Sequence, residues 1–205
     1  RQTKFRELMV APVTMRQRLT DYIEYEIEQA QQDRPAAIFI KVNNLVDDSL
    51  IVQLYRASRA GVKIRAIVRG MCALRAGVKD LSENIEVRSI VDRYLEHPRV
   101  YHFEHGGQQE LFIASADLMT RNLDHRVEVA VPVRDADARQ DVLQVMELQW
   151  RDRAKARVID AEQRNTYVIE REQAGRRKTK KSRLLRSQTA IYRYFKRRSH
   201  DYERE

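Results

Sequence analysis

Ala37-Ile38-Phe39-Ile40-Lys41-Val42-Asn43-Asn44-Leu45-Val46-Asp47-Asp48 and Gly61-Val62-Lys63-Ile64-Arg65-Ala66-Ile67-Val68-Arg69-Gly70 are the two stretches that decide the fold. Each carries a short apolar run, the pattern of a buried strand. Between them Leu50, Ile51, Leu54 and Tyr55 share a helical face, with Asp47 or Asp48 as the cap and Gly61 at the C′ position. Strand, helix and strand joined by short links predict a mostly parallel sheet covered by helices.

Upstream, Glu7–Ala11 reads as a short strand stopped by Pro12. Thr14 then caps a helix reaching Gln32, with Met15, Leu19, Tyr22, Ile23 and Ile27 on one face. Downstream, strands are expected at Ile85–Ile90, Arg99–Phe103, Glu110–Ala114 and Arg126–Val133, the middle two forming a hairpin around Gly106-Gly107. In the last strand Val127, Val129 and Val131 share one face. Asp135–Lys155 reads as a long helix with Val142, Val145, Met146 and Leu148 inside and Trp150 near its end. Ser182 is the expected cap of a final helix carrying Leu184, Leu185, Ile191, Tyr192 and Phe195 in one stripe, which should dock on the body or on a neighbouring domain. Arg171–Lys181 reads as a linker. The expected division is a domain over 1–157, a helical or linker segment over 158–181, and a basic helix and tail over 182–205.

The 205 residues carry 39 Lys+Arg against 30 Asp+Glu, and the excess is uneven. Residues 1–150 sum to −1 and residues 151–205 to +10, with eleven basic and no acidic residues from Arg176 to Arg198. A near-neutral body with a basic end suits an anionic partner: nucleic acid, a membrane surface or a polyanionic substrate. The single cysteine, Cys72, excludes an internal disulfide framework and a Cys-based zinc site. No apolar run approaches a membrane span, and the start at Arg1 reads as part of a longer chain in a soluble, reducing, intracellular setting.

Glycine-rich phosphate loops, nucleophile elbows and H-E-x-x-H pairs are all missing from the sequence, so phosphate would be handled by side chains. Arg69 follows an apolar strand directly, where α/β sheets bind ligands, although a surface arginine in a turn has the same sequence. His97 and Arg99 stand two apart and share a strand face: an imidazole able to move a proton beside a guanidinium able to fork onto phosphate, or an ordinary surface pair. Glu128 can accept a hydrogen bond from a histidine and orient it, or form a surface ladder with Arg126. His102, His105 and His125 have no clear ligand partner.

His97, Arg99 and Glu104 in the order H-x-R-x4-E, followed by Ser115-Ala116-Asp117 and Arg121-Asn122, resemble a degenerate phospholipase D motif, with Arg for Lys and Glu for Asp. Four stretches together resemble the C-terminal catalytic domain of type 1 polyphosphate kinases: Lys41 to Asp47, Ile67 to Cys72, Leu81 to Arg99, and Ser115 to Glu128. The likeness runs through residues 5–150 and implies a phospholipase D-like mixed β-sheet flanked by helices, with the basic C-terminal helix as an extension.

The family resemblance also implies reversible transfer of the terminal phosphate of ATP to polyphosphate through a phosphohistidine, with magnesium. That histidine belongs to the preceding domain. By position, Arg69 and His97 match the family's nucleotide-binding Arg and His. His97 and Glu128 become the expected acid–base pair, and Arg99, Lys41 and Arg121 the expected phosphate and polyphosphate ligands. No metal ligand is assigned within this chain. ATP, ADP, inorganic polyphosphate, the preceding domains and a homo-oligomeric complete enzyme are the expected partners. Nucleic acid is not expected to bind the body. The expected location is cytoplasmic, with membrane association open for the complete enzyme. The alternatives are a phospholipase D-like phosphodiesterase or nuclease, and a nucleic-acid-binding module acting through the basic C-terminus.

Overall fold

A computed structural model of the chain describes residues 5–172 and 184–202. In chain order the elements are β1 (Met9–Ala11), α1 (Met15–Gln31), β2 (Ala37–Val42), α2 (Asp48–Arg59), β3 (Lys63–Val68), β4 (Ile85–Ile90) and β5 (Arg99–Phe103). Then come β6 (Glu110–Ala114), β7 (Glu128–Pro132), α3 (Ala136–Trp150), β8 (Ala156–Val158), α4 (Val168–Glu172) and α5 (Ser187–Tyr202). The strands form one sheet in the order β1-β7-β6-β5-β2-β3-β4-β8.

The β2–α2–β3 unit forms as its sequence predicts. Asp47 caps α2 by accepting from the Leu50 amide at 3.0 Å, and Gly61 follows the helix at φ 99°. β2, β3 and β4 run parallel, but β5, β6, β7, β1 and β8 all join antiparallel. The sheet is therefore mixed, as the phospholipase D-like resemblance implies, and not mostly parallel as the β2–α2–β3 pattern alone predicts: the glycine-bearing turn between β5 and β6 folds the chain back on itself, as two-strand hairpins do.

Helices α1 and α2 cover one face. Met15, Leu19, Ile23 and Ile27 of α1 pack with Ile38, Ile40, Val42, Ile64, Tyr101 and Phe112 of the sheet. On the other face α3 places Met146 and Trp150 against Phe39, Ile67, Val100 and Leu111. Glu26 is also buried under α1, and its two oxygens accept from the Ala37 amide at 3.1 Å and the His105 amide at 2.7 Å.

Several expectations are corrected. Thr14 does not cap α1 with its hydroxyl, which instead accepts from the Val10 amide at 3.0 Å. Helix α3 ends at Trp150, because buried Asp152 accepts from the Lys155 and Ala156 amides at 2.6 and 3.1 Å and turns the chain into β8. Strand β8 was not foreseen, and it carries the sheet across the expected boundary at residue 157. The valine face of β7 is the solvent face. Val127 is 87% and Val131 46% exposed, and Ala130 is the residue that enters the core. Ser182 and most of the expected linker lie outside the described residues.

The final helix docks as expected, but by different residues. Tyr194 donates to Asp141 at 2.7 Å and Arg198 pairs with Asp141 at 2.9 Å, both onto α3. Tyr192 and Phe195 stay exposed. Among the described residues no helix is long and apolar enough to cross a membrane.

Candidate active site

The carboxyl ends of β2, β3 and β6 and the amino end of β5 meet at one edge of the sheet. There β2 is bordered by parallel β3 on one side and antiparallel β5 on the other. Such a reversal of strand order leaves a crevice in which α/β sheets bind ligands. Asn43 leaves β2 into it, Arg69 leaves β3, Arg99 opens β5 with His97 just before it, and Asp117 follows β6. Gly70 must lack a side chain here. A Cβ would lie 2.6 Å from Asn44 Oδ1 and 2.8 Å from the Asn43 carbonyl oxygen.

Asp117 is the anchor. Its Oδ1 accepts from the Asn43 amide at 2.7 Å, Asn43 Nδ2 at 3.1 Å and Arg99 Nε at 3.1 Å. Its Oδ2 accepts from Asn44 Nδ2 at 3.1 Å and Arg99 Nη2 at 3.3 Å. Burial pushes the carboxyl pKa up, but the Arg99 fork and the Asn43 amide outweigh it and hold the group below its ordinary value.

His97 stands between two guanidinium groups, with Arg69 Nη2 3.1 Å from Nδ1 and Arg99 Nη1 3.2 Å from Nε2. Arg69 also donates through Nε to Asn43 Oδ1. A neutral imidazole has one lone pair to offer, and guanidinium groups only donate. Three donor side chains thus converge on one exposed point with a single carboxylate beneath them, an arrangement matched to phosphate oxygens.

The structure brings together Arg69, His97 and Arg99, three of the residues that the sequence singles out. No role was assigned from sequence to Asp117, Asn43 and Asn44, although polar residues placed directly after apolar strands were the available signal. Glu128 is not joined to His97. Its oxygens accept from the Ser115 hydroxyl and from Asn122 Nδ2, the latter at 2.7 Å, and β7 lies two strands, about 10 Å, from β5.

Lys41 does not line a phosphate path either, being 2% exposed and paired with Glu96 at 3.3 Å. Burial pushes its ammonium pKa down and Glu96 opposes the shift. Arg121 is exposed on the wide helical turn Arg121–His125 and takes no part in the hydrogen bonds of the His97 cluster.

Beneath the site, Arg16 of α1 donates to both oxygens of Asp47, at 2.8 and 2.7 Å, and to both of Asp124, each at 2.7 Å. It ties the loop after β2 to the segment after β6. Beside Arg69 opens a cavity of about 640 Å³ that Arg69, Lys155, Arg157, Asn165 and Tyr167 help to line, with no carboxylate among the described residues of its wall. Arg157 lies 4.0 Å over the Tyr167 ring and donates to the Asn165 carbonyl at 2.8 Å.

The chain has an α/β fold of the phospholipase D type. The fold matches the phospholipase D family member Nuc of Salmonella typhimurium with a TM-score of 0.55 at 12% identity, over 75% of this chain and 97% of that one. Residues 8–179 match the family model "Polyphosphate kinase C-terminal domain 2", and the chain belongs to that family. It is 50% identical to a polyphosphate kinase of Vibrio vulnificus and 46% identical to that of Escherichia coli K12, in each case over 96% of this chain. It superposes on the polyphosphate kinase of Porphyromonas gingivalis with a TM-score of 0.88 at 41% identity, covering 97% of this chain and 29% of that one. The chain spans 27% of the length of these Vibrio and Escherichia relatives.

Proposed function

We propose that this chain supplies the nucleotide- and phosphate-binding side of an enzyme that reversibly transfers the terminal phosphate of ATP to polyphosphate. The observation that carries the proposal is His97 held between Arg69 and Arg99. Phosphoryl transfer depends on positioning and on positive charge around the equatorial oxygens more than on covalent work by the protein. Arg69 and Arg99 supply that charge. His97 hydrogen-bonds the oxygen that ADP retains when the terminal P–O bond breaks, and the phosphoryl group passes to a histidine of a preceding domain. Attack by the terminal oxygen of polyphosphate then frees that histidine and lengthens the chain by one phosphate. The cavity beside Arg69, with no carboxylate among its described lining residues, gives the remaining phosphates of the chain a course along Lys155 and Arg157.

Magnesium would be carried chiefly by the phosphates of ATP, since the ion takes only one or two carboxylates from a protein. Among the described residues no group of three or more His, Cys, Asp or Glu side chains is arranged to hold a metal ion, and Asp117 is taken by Arg99. In calorimetric titration with ATP and with long-chain polyphosphate, Arg69→Ala and His97→Ala should each weaken binding at least tenfold, the loss of one or more charge-assisted hydrogen bonds. Unchanged binding in both variants would overturn the assignment.

A further inference from the structure

The segment between β4 and β5, residues 91–98, presents His97 yet has no strand partner of its own. Val91, Tyr94 and Leu95 are 72%, 67% and 70% exposed. A connection of this kind opens easily unless side chains hold it. The holding groups come largely from α5 and the residue before it, beyond residue 179 where the family match ends.

Gln188 in the first turn of α5 makes a reciprocal pair with the backbone of Tyr94. Its Oε1 accepts from the Tyr94 amide at 3.1 Å, and its Nε2 donates to the Tyr94 carbonyl at 2.9 Å. The same Nε2 donates to Glu96 Oε1 at 2.8 Å. Two residues earlier, Arg186 forks onto Asp92, with Nε 2.7 Å from Oδ2 and Nη2 2.5 Å from Oδ1. Glu96, the residue next to His97, has its second oxygen held by Lys41 of β2 at 3.3 Å and by Gln149 of α3 at 2.5 Å.

The amino end of α5 is itself fixed to the body. The Ser187 amide donates to Asp152 at 2.6 Å, and the Leu185 carbonyl accepts from the Arg153 and Ala154 amides at 2.9 and 3.1 Å. The chain of contacts thus runs from the buried turn after α3, through Arg186 and Gln188, to the backbone that aims the imidazole.

We infer that Arg186 and Gln188 are positioning residues, which hold residues 92–96 and thereby keep His97 between Arg69 and Arg99. The C-terminal segment then acts on the site through Arg186 and the first turn of α5. The inference rests on the proposed transfer reaction for its kinetic consequence, but not for its structural one.

The test uses the complete protein that carries this segment, with Gln188→Ala, Arg186→Ala, Arg186→Lys and, as a control on the exposed side of α5, Tyr192→Ala. Hydrogen exchange of the peptide spanning residues 91–99 should rise in Gln188→Ala and Arg186→Ala while β2 and β3 stay protected. Arg186→Lys, which keeps the charge pair with Asp92, should recover most of the protection, and Tyr192→Ala should change nothing.

In turnover, Gln188→Ala should lower kcat about tenfold to a hundredfold, the cost of a misplaced catalytic group, with KM for ATP altered far less. In a His97→Ala background the same substitution should have no further effect on kcat, because a residue acting through His97 has nothing left to position. Unchanged exchange at residues 91–99 overturns the inference whether or not the protein turns over. Increased exchange with unchanged kcat in an active protein overturns the positioning role. A wild-type protein that transfers no phosphate overturns the proposed function instead, and the exchange result then still decides whether α5 holds the loop.

Discussion

Asp117 grips Arg99 with both carboxylate oxygens, at 3.1 Å to Nε and 3.3 Å to Nη2, and so leaves Nη1 aimed at His97 3.2 Å away. The carboxylate sets direction: one guanidinium nitrogen is presented to His97 and two are fixed behind it. Removing Asp117 leaves a half-buried cation unpaired and frees two asparagine side chains.

Asp117→Ala should therefore lower the unfolding free energy by about 3 kcal/mol at neutral pH, the usual cost of breaking such a pair by one partner. The folded pKa of Asp117 lies below its ordinary value of 3.8, so its stabilisation is complete above that value and is lost as pH falls through the folded pKa. Urea denaturation should show the gap between wild type and variant narrowing below pH 4. A gap of constant size down to pH 2 would contradict the role of the charge.

Arg69 serves Asn43 through Nε and His97 through Nη2, a fork that an ammonium group cannot reproduce. Arg69→Lys should keep the charge yet lose about tenfold in ATP affinity, close to the loss in Arg69→Ala. Retention of full affinity by the lysine variant would show that charge alone matters at this position.

What was legible in the sequence was local. Asp47, the apolar face of α2 and Gly61 each announce themselves within a few residues, so β2–α2–β3 and the position of Arg69 at its end could be read directly. Strand order could not be read, because pairing β2 with β5 across about sixty residues leaves no mark on either strand. The alternation at Val127, Val129 and Val131 was visible, but not which face it would take. Lys41, Gln149 and Gln188 look like surface residues in any pattern, and they are placed by one another around Glu96. Glu128 was drawn toward His97 by the logic of triads, whereas Asn122 and Ser115, close in sequence, claim it first.

The burial of Lys41 separates two roles that the sequence left together. A lysine lining a phosphate path can be removed with little effect on folding, but one paired inside the protein cannot. Lys41→Ala should cost about 3 kcal/mol by leaving Glu96 buried without its cation. Arg121→Ala, at an exposed position, should change stability by less than about 0.5 kcal/mol. Equal and small effects in thermal unfolding would return Lys41 to the list of phosphate ligands.

Glu26 makes stability depend on pH in the opposite sense from Asp117. Burial pushes its pKa from an ordinary 4.5 up to about 7, against the two backbone amides that favour the charged form, and nearby Glu104 pushes it the same way as burial. The folded state therefore binds a proton that the unfolded state has released. The contribution is complete below the unfolded value and is lost as pH rises through about 7. A decline on the order of 3 kcal/mol is expected between pH 4.5 and 8. Glu26→Gln should flatten that part of the curve while forfeiting one backbone hydrogen bond, since its amide nitrogen cannot accept. A wild-type curve that is flat over this range, or a variant with the same slope, would exclude Glu26 as the group responsible.

Under the proposed transfer, the cavity beside Arg69 separates the reacting phosphate from those that follow it. Arg69 touches both the His97 cluster and the cavity, whereas Lys155 and Arg157 line the cavity without entering the cluster's hydrogen bonds. Substituting both with alanine should leave ATP affinity within about threefold, since neither side chain enters the hydrogen bonds of the His97 cluster and a charge acting across solvent is largely screened. The effect on polyphosphate should depend on chain length, because two cations can bind phosphates that a short chain does not have. Affinity for chains of a few phosphates should barely change, while long-chain affinity falls about tenfold and its dependence on salt flattens, fewer counterions being released per chain bound. Titrating the double variant with a ladder of chain lengths at two salt concentrations checks this. An equal loss for short and long chains would place Lys155 and Arg157 at the reacting phosphate, and no loss at any length would remove the cavity from the path of the chain.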